Sequence, residues 1–233
     1  MIKLTGRTAL VTGGSRGIGE ATCRLLAKAG CNVAFGYRGS HDAARDLVDQ
    51  LQQAGRQAIA VAGDISVRND VERLFDQCRK EFGAVDIVVG NAGIWKEAPI
   101  DQMTQKDWDE TIDINLKSIY HTCQFAALEM KPRRSGKIIL VSSTAGQRGE
   151  AFYSHYAATK GAIISLTKSL ASELGPWGIR INAVAPGWVD TDMSADKLGN
   201  PSFRKLIEKD IPLGYVPGAE EIAGPILLSL IHI

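Results

Sequence analysis

Paired cysteines, aromatic residues, excess charge and long apolar runs are all scarce in this chain of 233 residues. Its four cysteines, Cys23, Cys31, Cys78 and Cys123, stand far apart with no C-x-x-C spacing and no neighbouring histidine pair. That excludes a zinc site built on them, so no metal is expected, and it suits a reducing compartment. Formal net charge is +1 and no block of like charge occurs. Nucleic acid is therefore not an expected partner. No stretch reaches the roughly 18 apolar residues of a membrane span. The opening MIKLTGRTALVTGG runs from a short strand straight into glycines, without the apolar segment of a secretory signal. We expect a soluble, cytoplasmic protein with no membrane partner. Aromatic residues make up only 6% of the chain.

What the sequence does contain is a core. Hydrophobic residues are 45% of the total, enough at this length for a substantial buried interior. Six short apolar runs stand out, RTALVT at 7–12, NVAFGY at 32–37, QAIAVAG at 57–63, VDIVVG at 85–90, KIILVSS at 137–143 and IRINAVA at 179–185. Between them lie segments of helical period at 17–29, 41–54, 67–82, 104–131 and 154–175. Strands apolar on both faces, alternating with amphipathic helices, predict a Rossmann-type doubly wound parallel sheet. The layers are α/β/α, and with no linker or repeat the economical reading is a single domain over 1–233. Gly30, Gly55 and Pro132 mark helix ends. The interval from Gly187 to Gly218 breaks the rhythm and reads as an irregular lid, centred on 188–215.

Two features carry chemistry. After the first strand, Thr12 to Gly19 reads TGGSRGIG and leads into a helix, a turn suited to close approach by a pyrophosphate at a helix N-terminus. Further on, SHYAATKG sets Tyr156 four residues before Lys160. Five tyrosines and thirteen lysines yield that spacing roughly 0.3 times by chance, so the pair needs support from the rest of the chain. Its chemistry is plausible on physical grounds. Hydride reduction of a ketone leaves charge on oxygen, which needs a proton donor and hydrogen bonds. An ammonium one helical turn away, at about 5–6 Å, contributes about 3 kcal/mol toward an acidic phenol at an effective dielectric of 20. We therefore expect Lys160 to lower the Tyr156 pKa.

The T-G-x-x-x-G-x-G turn, Asn91-Ala92-Gly93 after strand four, Ser143 after strand five and Tyr156-x-x-x-Lys160 together resemble the short-chain dehydrogenase/reductase family. The resemblance spans residues 3 to about 224 and is strongest to its 3-oxoacyl-acyl-carrier-protein reductases. It implies an NAD or NADP cofactor and a catalytic set of Asn115, Ser143, Tyr156 and Lys160. Ser143 would bond the substrate carbonyl, Lys160 would also hold the nicotinamide ribose, and Asn115 would help hold a water in a proton relay. The implied cofactor contacts are Gly13, Ser15, Arg16, Gly17, Ile18, Gly19, Arg38, Asp64, Asn91, Ala92, Gly93, Tyr156, Lys160, Pro186, Gly187, Val189 and Thr191. Arg38 at the end of strand two, where an acidic residue would select NAD, favours NADP (NADPH), with Arg16 as a second guanidinium. His155 reads as a lining or surface residue, and Asn115 inside its helix signals a local irregularity. The implied substrate is a small-molecule ketone or a 3-oxoacyl thioester, with acyl carrier protein as a candidate partner, and the implied assembly is a homotetramer or homodimer.

Three departures from the family pattern stand out. Gly90 replaces an expected asparagine, whose missing amide should loosen the chain beneath the cofactor. Of two basic residues expected at the rim, Arg134 is present but Trp177 takes the other place, which weighs against a carrier-protein substrate; the neutral alternative is a small ketone, aldehyde or acyl-thioester held by Trp95, Phe152 and the 188–215 lid. Pro225 should interrupt any helix begun at Glu220. The final LLSLIHI is then expected either to pack as a surrogate strand or to leave strand six with a bare edge, the last strand being truncated.

Overall fold

The computed structural model describes residues 2–231. All six expected strands form, β1 (Thr8–Thr12), β2 (Asn32–Tyr37), β3 (Ala58–Ala62), β4 (Ile87–Gly90), β5 (Gly136–Val141) and β6 (Ile179–Val184). They make one parallel sheet in the order β3-β2-β1-β4-β5-β6. Alternation along each strand explains why both faces must be covered. Ala9, Val11, Val33, Phe35, Ile87 and Val89 point into one apolar cluster, where α1 (Gly17–Lys28) and α2 (His41–Gln53) pack. Leu10, Ala34, Val88, Ile138 and Leu140 point into the other, covered by α3 (Arg68–Phe82) and the helices that follow. The result is a three-layer Rossmann-type fold. The chain runs from β1 out to β2 and β3 on one side, then crosses back to β4 on the other side of β1, and the crevice for ligands opens at that reversal.

The long helix expected at 104–131 is broken at the expected place. It runs as α4 (Gln105–Ile112), a π-helical turn over Asp113–Lys117 that contains Asn115, and α5 (Ser118–Met130). After β5 come the one-turn α6 (Ala145–Arg148) and the long α7 (Ser154–Leu174).

Two expectations about the later chain fail. The lid is not irregular throughout, because it folds α8 (Ala195–Leu198) and α9 (Pro201–Asp210). Asn200 caps α9, its side-chain oxygen accepting from Ser202 N at 3.0 Å and Phe203 N at 3.2 Å. Nor does Pro225 stop a helix. Residues Ala219–Ile231 form α10 straight through it, so LLSLI is helix and not a surrogate strand, while His232 and Ile233 lie outside the described residues. A proline inside a helix costs about 3 kcal/mol. Ala223, Ile226, Leu227 and Leu230 are buried against α1 and the first cluster, and at roughly 1.5–3 kcal/mol for each large apolar side chain that burial outweighs the loss. Among the described residues β6 has no neighbour on its outer side, as one of the two expected alternatives had it.

Gly90 needs no asparagine. A Cβ there would stand 2.8 Å from Ile119 Cδ1 and 2.9 Å from Leu140 Cδ2, so α5 and β5 already fill the space that the missing amide would claim. Among the described residues no helix is long and apolar enough to cross a membrane. All four cysteines are buried and free, and burial pushes the Cys31, Cys78 and Cys123 thiols up to about 12, which leaves them unreactive.

Candidate active site

The glycine turn is built by close approach. A Cβ on Gly13 would lie 2.9 Å from Ala92 Cα, and one on Gly19 only 2.0 Å from the Gly13 carbonyl oxygen. Asn91 ties the same two segments together, its Nδ2 donating to Thr12 O at 3.1 Å and Gly13 O at 3.0 Å. Thr12 Oγ1 returns the bond by accepting from Asn91 N at 3.0 Å and Ala92 N at 3.1 Å. The β1 and β4 ends are thus locked edge to edge, and α1 begins immediately beyond with its N-terminus toward the cleft. Gly17 faces the lid segment, where Thr191 Cγ2 would meet its Cβ at 3.5 Å.

Arg38, more than half exposed, leans on Asp64 at 3.4 Å. Asp64 also accepts from Ser66 N at 2.9 Å and Ser66 Oγ at 2.6 Å, and these bonds with Arg38 hold its carboxyl low against the opposing effect of burial. The Arg16 guanidinium has no hydrogen-bond partner among the described residues, while its backbone carbonyl accepts from Glu20 N at 3.2 Å. These groups line one continuous cleft of about 1180 Å³ that reaches from Arg38 and Asp64 to Ser143, Tyr156 and the lid. It exceeds the roughly 300–1,000 Å³ of ordinary ligand pockets. A glycine cradle that any Cβ would fill, a helix N-terminus and two guanidiniums fit a phosphorylated dinucleotide with room left for a substrate.

At the other end, Tyr156 and Lys160 lie on one face of α7. The Lys160 ammonium stands 5.6 Å from the Tyr156 ring centroid and donates to Val141 O at 2.9 Å. Ser142 Oγ donates to the Lys160 carbonyl at 2.7 Å, clamping the end of β5 to α7. Ser143 lies beside Tyr156 and accepts from Ala145 N at 3.1 Å. Burial, not the ammonium, dominates the phenol. Tyr156 is pushed up to about 12 by desolvation, with the Ser143 hydrogen bond opposing and the Glu150 charge adding to it. Lys160 is pushed down to about 8 by its own burial. The expectation that Lys160 lowers the Tyr156 pKa is therefore not met, because the spacing on a helix gives proximity but says nothing of desolvation.

Asn115 sits beneath the cleft, fully buried. Its Oδ1 accepts from Ile94 N at 2.7 Å and its Nδ2 donates to Ile94 O at 2.9 Å, so the side chain fixes the loop after β4. A Cβ on Gly93 would lie 3.2 Å from Asn115 Oδ1 and 3.6 Å from Lys160 Nζ, which places these groups around one glycine. His155 contradicts expectation. It is fully buried, lines no part of the cleft, and points both ring nitrogens into space without a hydrogen-bond partner among the described residues. Neighbours four apart on α7 share a face; His155, adjacent to Tyr156, falls on another and packs inward. At the rim, the Arg134 guanidinium lies 5.5 Å over the Trp177 ring and donates to Pro176 O at 2.6 Å.

Sequence reasoning missed two parts of the site. Gly146 on α6 touches the α7 backbone at Lys160 and Gly161, and only the glycine itself hinted at it. The sequence reading names Trp95 and the 188–215 segment but not Tyr153, which joins Trp95, Trp188 and Phe203 in a contiguous aromatic wall. Beside it Lys197 of α8 donates to Glu97, which also accepts from Tyr153 OH at 3.1 Å.

A glycine turn on an open parallel sheet, joined by one cleft to a hydroxyl, a phenol and an ammonium, defines a dinucleotide-dependent oxidoreductase. Comparison with known proteins supplies the family. Residues 7–201 match the short chain dehydrogenase family, and the chain belongs to it. Similar curated proteins include 3beta-hydroxysteroid dehydrogenase 1 of Eggerthella lenta, 39% identical across 94% of this chain and 85% of its own length. The 3-oxoacyl-[acyl-carrier-protein] reductase FabG of Staphylococcus epidermidis is also 39% identical, across 89% of this chain and 84% of its own. Among solved structures, a short chain dehydrogenase from Burkholderia cenocepacia in complex with NADP superposes with a TM-score of 0.90 at 35% identity, covering 98% and 91% of the two chains.

Proposed function

We propose that this protein is an NADP(H)-dependent reductase that converts a ketone to a secondary alcohol, most like the 3-oxoacyl-[acyl-carrier-protein] reductases. The observation that carries the reading is the convergence of Ser143, Tyr156 and Lys160 on one end of a cleft whose other end holds Arg16, Arg38 and Asp64. When bound, the dinucleotide supplies a hydride. Ser143 donates to the carbonyl oxygen and Tyr156 gives it a proton. Lys160 holds positive charge behind the phenol, and Asn115 acts as a positioning residue through Ile94. A phenol kept neutral up to about 12 is a proton donor across the physiological range, which suits the reducing direction.

Backbone and side chains of Gly13, Ser15, Gly17, Ile18, Asn91, Ala92 and Gly93 would form the cradle, with Gly19 packed beneath it against Gly13, and Pro186, Gly187, Val189 and Thr191 would close it from the opposite side. Arg16 and Arg38 favour NADPH, since a guanidinium makes charge-assisted hydrogen bonds to a 2′-phosphate. Support for NADP also comes from the complex formed by the Burkholderia relative. Acyl thioesters are the substrates suggested by the name of the Staphylococcus relative. Arg134, engaged with Trp177, remains a candidate contact for an acyl carrier protein. We further infer a cytoplasmic homotetramer or homodimer, with the exposed Tyr120 and Leu128 of α5 in the interface.

Oxidation of NADPH and NADH, followed at equal concentration with acetoacetyl-coenzyme A and with ethyl acetoacetate, tests the function. Turnover with NADPH that exceeds NADH supports the reading. Tight NADPH binding without turnover of any ketone would instead make the protein a binding module.

A further inference from the structure

Two of the four tryptophans in this aromatic-poor chain stand together in the cleft. Trp95 stacks on Tyr153 with ring centroids 4.4 Å apart and planes 6° from parallel. Trp188 meets Trp95 edge-on at 5.4 Å and 87°, and Phe203 of α9 meets Trp188 at 5.6 Å and 75°. Trp95 and Tyr153 come from the segments after β4 and β5, Trp188 and Phe203 from the segment after β6, so the wall is assembled from both sides of the cleft. The polar tips are already engaged. Trp95 Nε1 donates to Glu150 at 3.3 Å and Tyr153 OH donates to Glu97, so the rings offer apolar faces and edges to an occupant. Trp95, Trp188 and Phe203 are only half-buried, and all four rings line the cleft that also contains Ser143 and Tyr156.

The cations beside the aromatic wall each have a carboxylate in their neighbourhood. Lys197 is bound to Glu97, and the Arg148 charge acts on the half-buried Glu150. A neutral occupant fits. A flat ring gains offset or edge-to-face contacts with such a wall beyond what area alone supplies, whereas a flexible chain gains only the area.

We propose that the cleft serves a second substrate class, neutral ketones whose carbonyl is part of, or attached to, a flat ring system, with Trp95, Trp188 and Phe203 as specificity-determining residues. The proposal rests on the reductase reading given above. The carbonyl carbon of the ring ketone gains a hydride, two electrons and a proton, from NADPH, and its oxygen gains the Tyr156 proton. The products are the ring alcohol and NADP⁺, and the phenolate recovers its proton from solvent.

The test is steady-state NADPH oxidation with 1-tetralone and with ethyl acetoacetate. Wild type should reduce both. In Trp188→Leu the ratio of kcat/KM for 1-tetralone to that for ethyl acetoacetate should fall roughly twofold to tenfold, the value of one aromatic pair, and Trp188→Phe should restore most of it. An unchanged ratio overturns the proposal, and so does ethyl acetoacetate turnover with 1-tetralone inert. If neither ketone is reduced, the reductase reading itself fails. Should Trp188→Leu not fold, wild type still decides: 2-naphthol must compete with ethyl acetoacetate more strongly than 1-octanol does, and the reverse order refutes the aromatic slot.

Discussion

Gly146 is the position where the least chemistry should do the most damage. A Cβ placed there would lie 2.4 Å from the Lys160 carbonyl carbon, 2.5 Å from Gly161 N and 2.7 Å from the Lys160 carbonyl oxygen, all of them backbone atoms that cannot rotate away. Ordinary contact begins near 3.4 Å, so Gly146→Ala must drive α6 and α7 apart by about 1 Å. The segment pushed is the one that carries Lys160, clamped by Ser142 Oγ to its carbonyl and by its own ammonium to Val141 O. Overpacking of this kind costs about 1–3 kcal/mol, and in a chain of this length each kcal/mol lowers Tm by about 2–4 °C. Thermal unfolding should therefore fall by roughly 2–12 °C. A misplacement of about 1 Å in a catalytic group costs on the order of a hundredfold, so kcat for ketone reduction should drop by about that factor. Differential scanning fluorimetry and NADPH oxidation read the two effects. Retention of kcat within twofold, with Tm unmoved, would refute the claim that glycine sets the spacing between these helices.

Other substitutions test other links. Tyr156→Phe removes the proton donor and should lower kcat about 10²–10⁴-fold in the NADPH oxidation assay; a loss under tenfold would mean the proton comes from elsewhere. Arg38→Asp removes a charge-assisted bond and should reduce kcat/KM for NADPH roughly 10- to 100-fold while raising that for NADH, and equal losses for both cofactors would refute recognition of the 2′-phosphate. Lys160 is pushed down to about 8 from an ordinary 10.5, so between those values the unfolded chain binds a proton that the folded chain does not, and stability must rise with pH. Urea unfolding should show wild type gaining roughly 3 kcal/mol on Lys160→Leu between pH 8 and 10.5, with the Tyr156 titration common to both proteins and absent from the difference. A pH-independent difference would mean the ammonium is solvated.

Most of the sheet was legible because the middles of β1 to β5 are apolar on both faces, which only a doubly covered strand permits. The failures have specific causes. Asn200-Pro201 punctuates the chain like a loop, yet the same pair starts α9 by a side-chain cap with proline at the first position, where no hydrogen bond is lost. Pro225 reads as a stop in isolation; packing of Ile226 and Leu230 on α1 overrides it, and that packing is invisible in a one-dimensional pattern. At the site, motifs located the glycine turn and the Tyr156–Lys160 pair because their spacing is local. The aromatic wall joins positions 95, 153, 188 and 203, and nothing in any one of those segments points to the others.

Burial also decides what the Tyr156–Lys160 pair is for. With the phenol at about 12, forming phenolate at pH 7 requires roughly 7 kcal/mol, against about 4 kcal/mol for an ordinary tyrosine. That cost stands with the Lys160 ammonium already in place, 5.6 Å from the ring centroid, so the neighbouring charge does not restore even ordinary acidity. Raising the pH does not help in proportion, because Lys160 gives up its own proton near 8 and with it the charge that would stabilise phenolate. The two shifts therefore act in one direction. Near neutrality each group holds its proton, the phenol ready to donate and the lysine still cationic, and the alcohol-oxidising direction must meet a deprotonation cost that ketone reduction does not. On the proposed reductase reading, the apolar packing that desolvates α7 at this point favours the proton-donating form of the phenol.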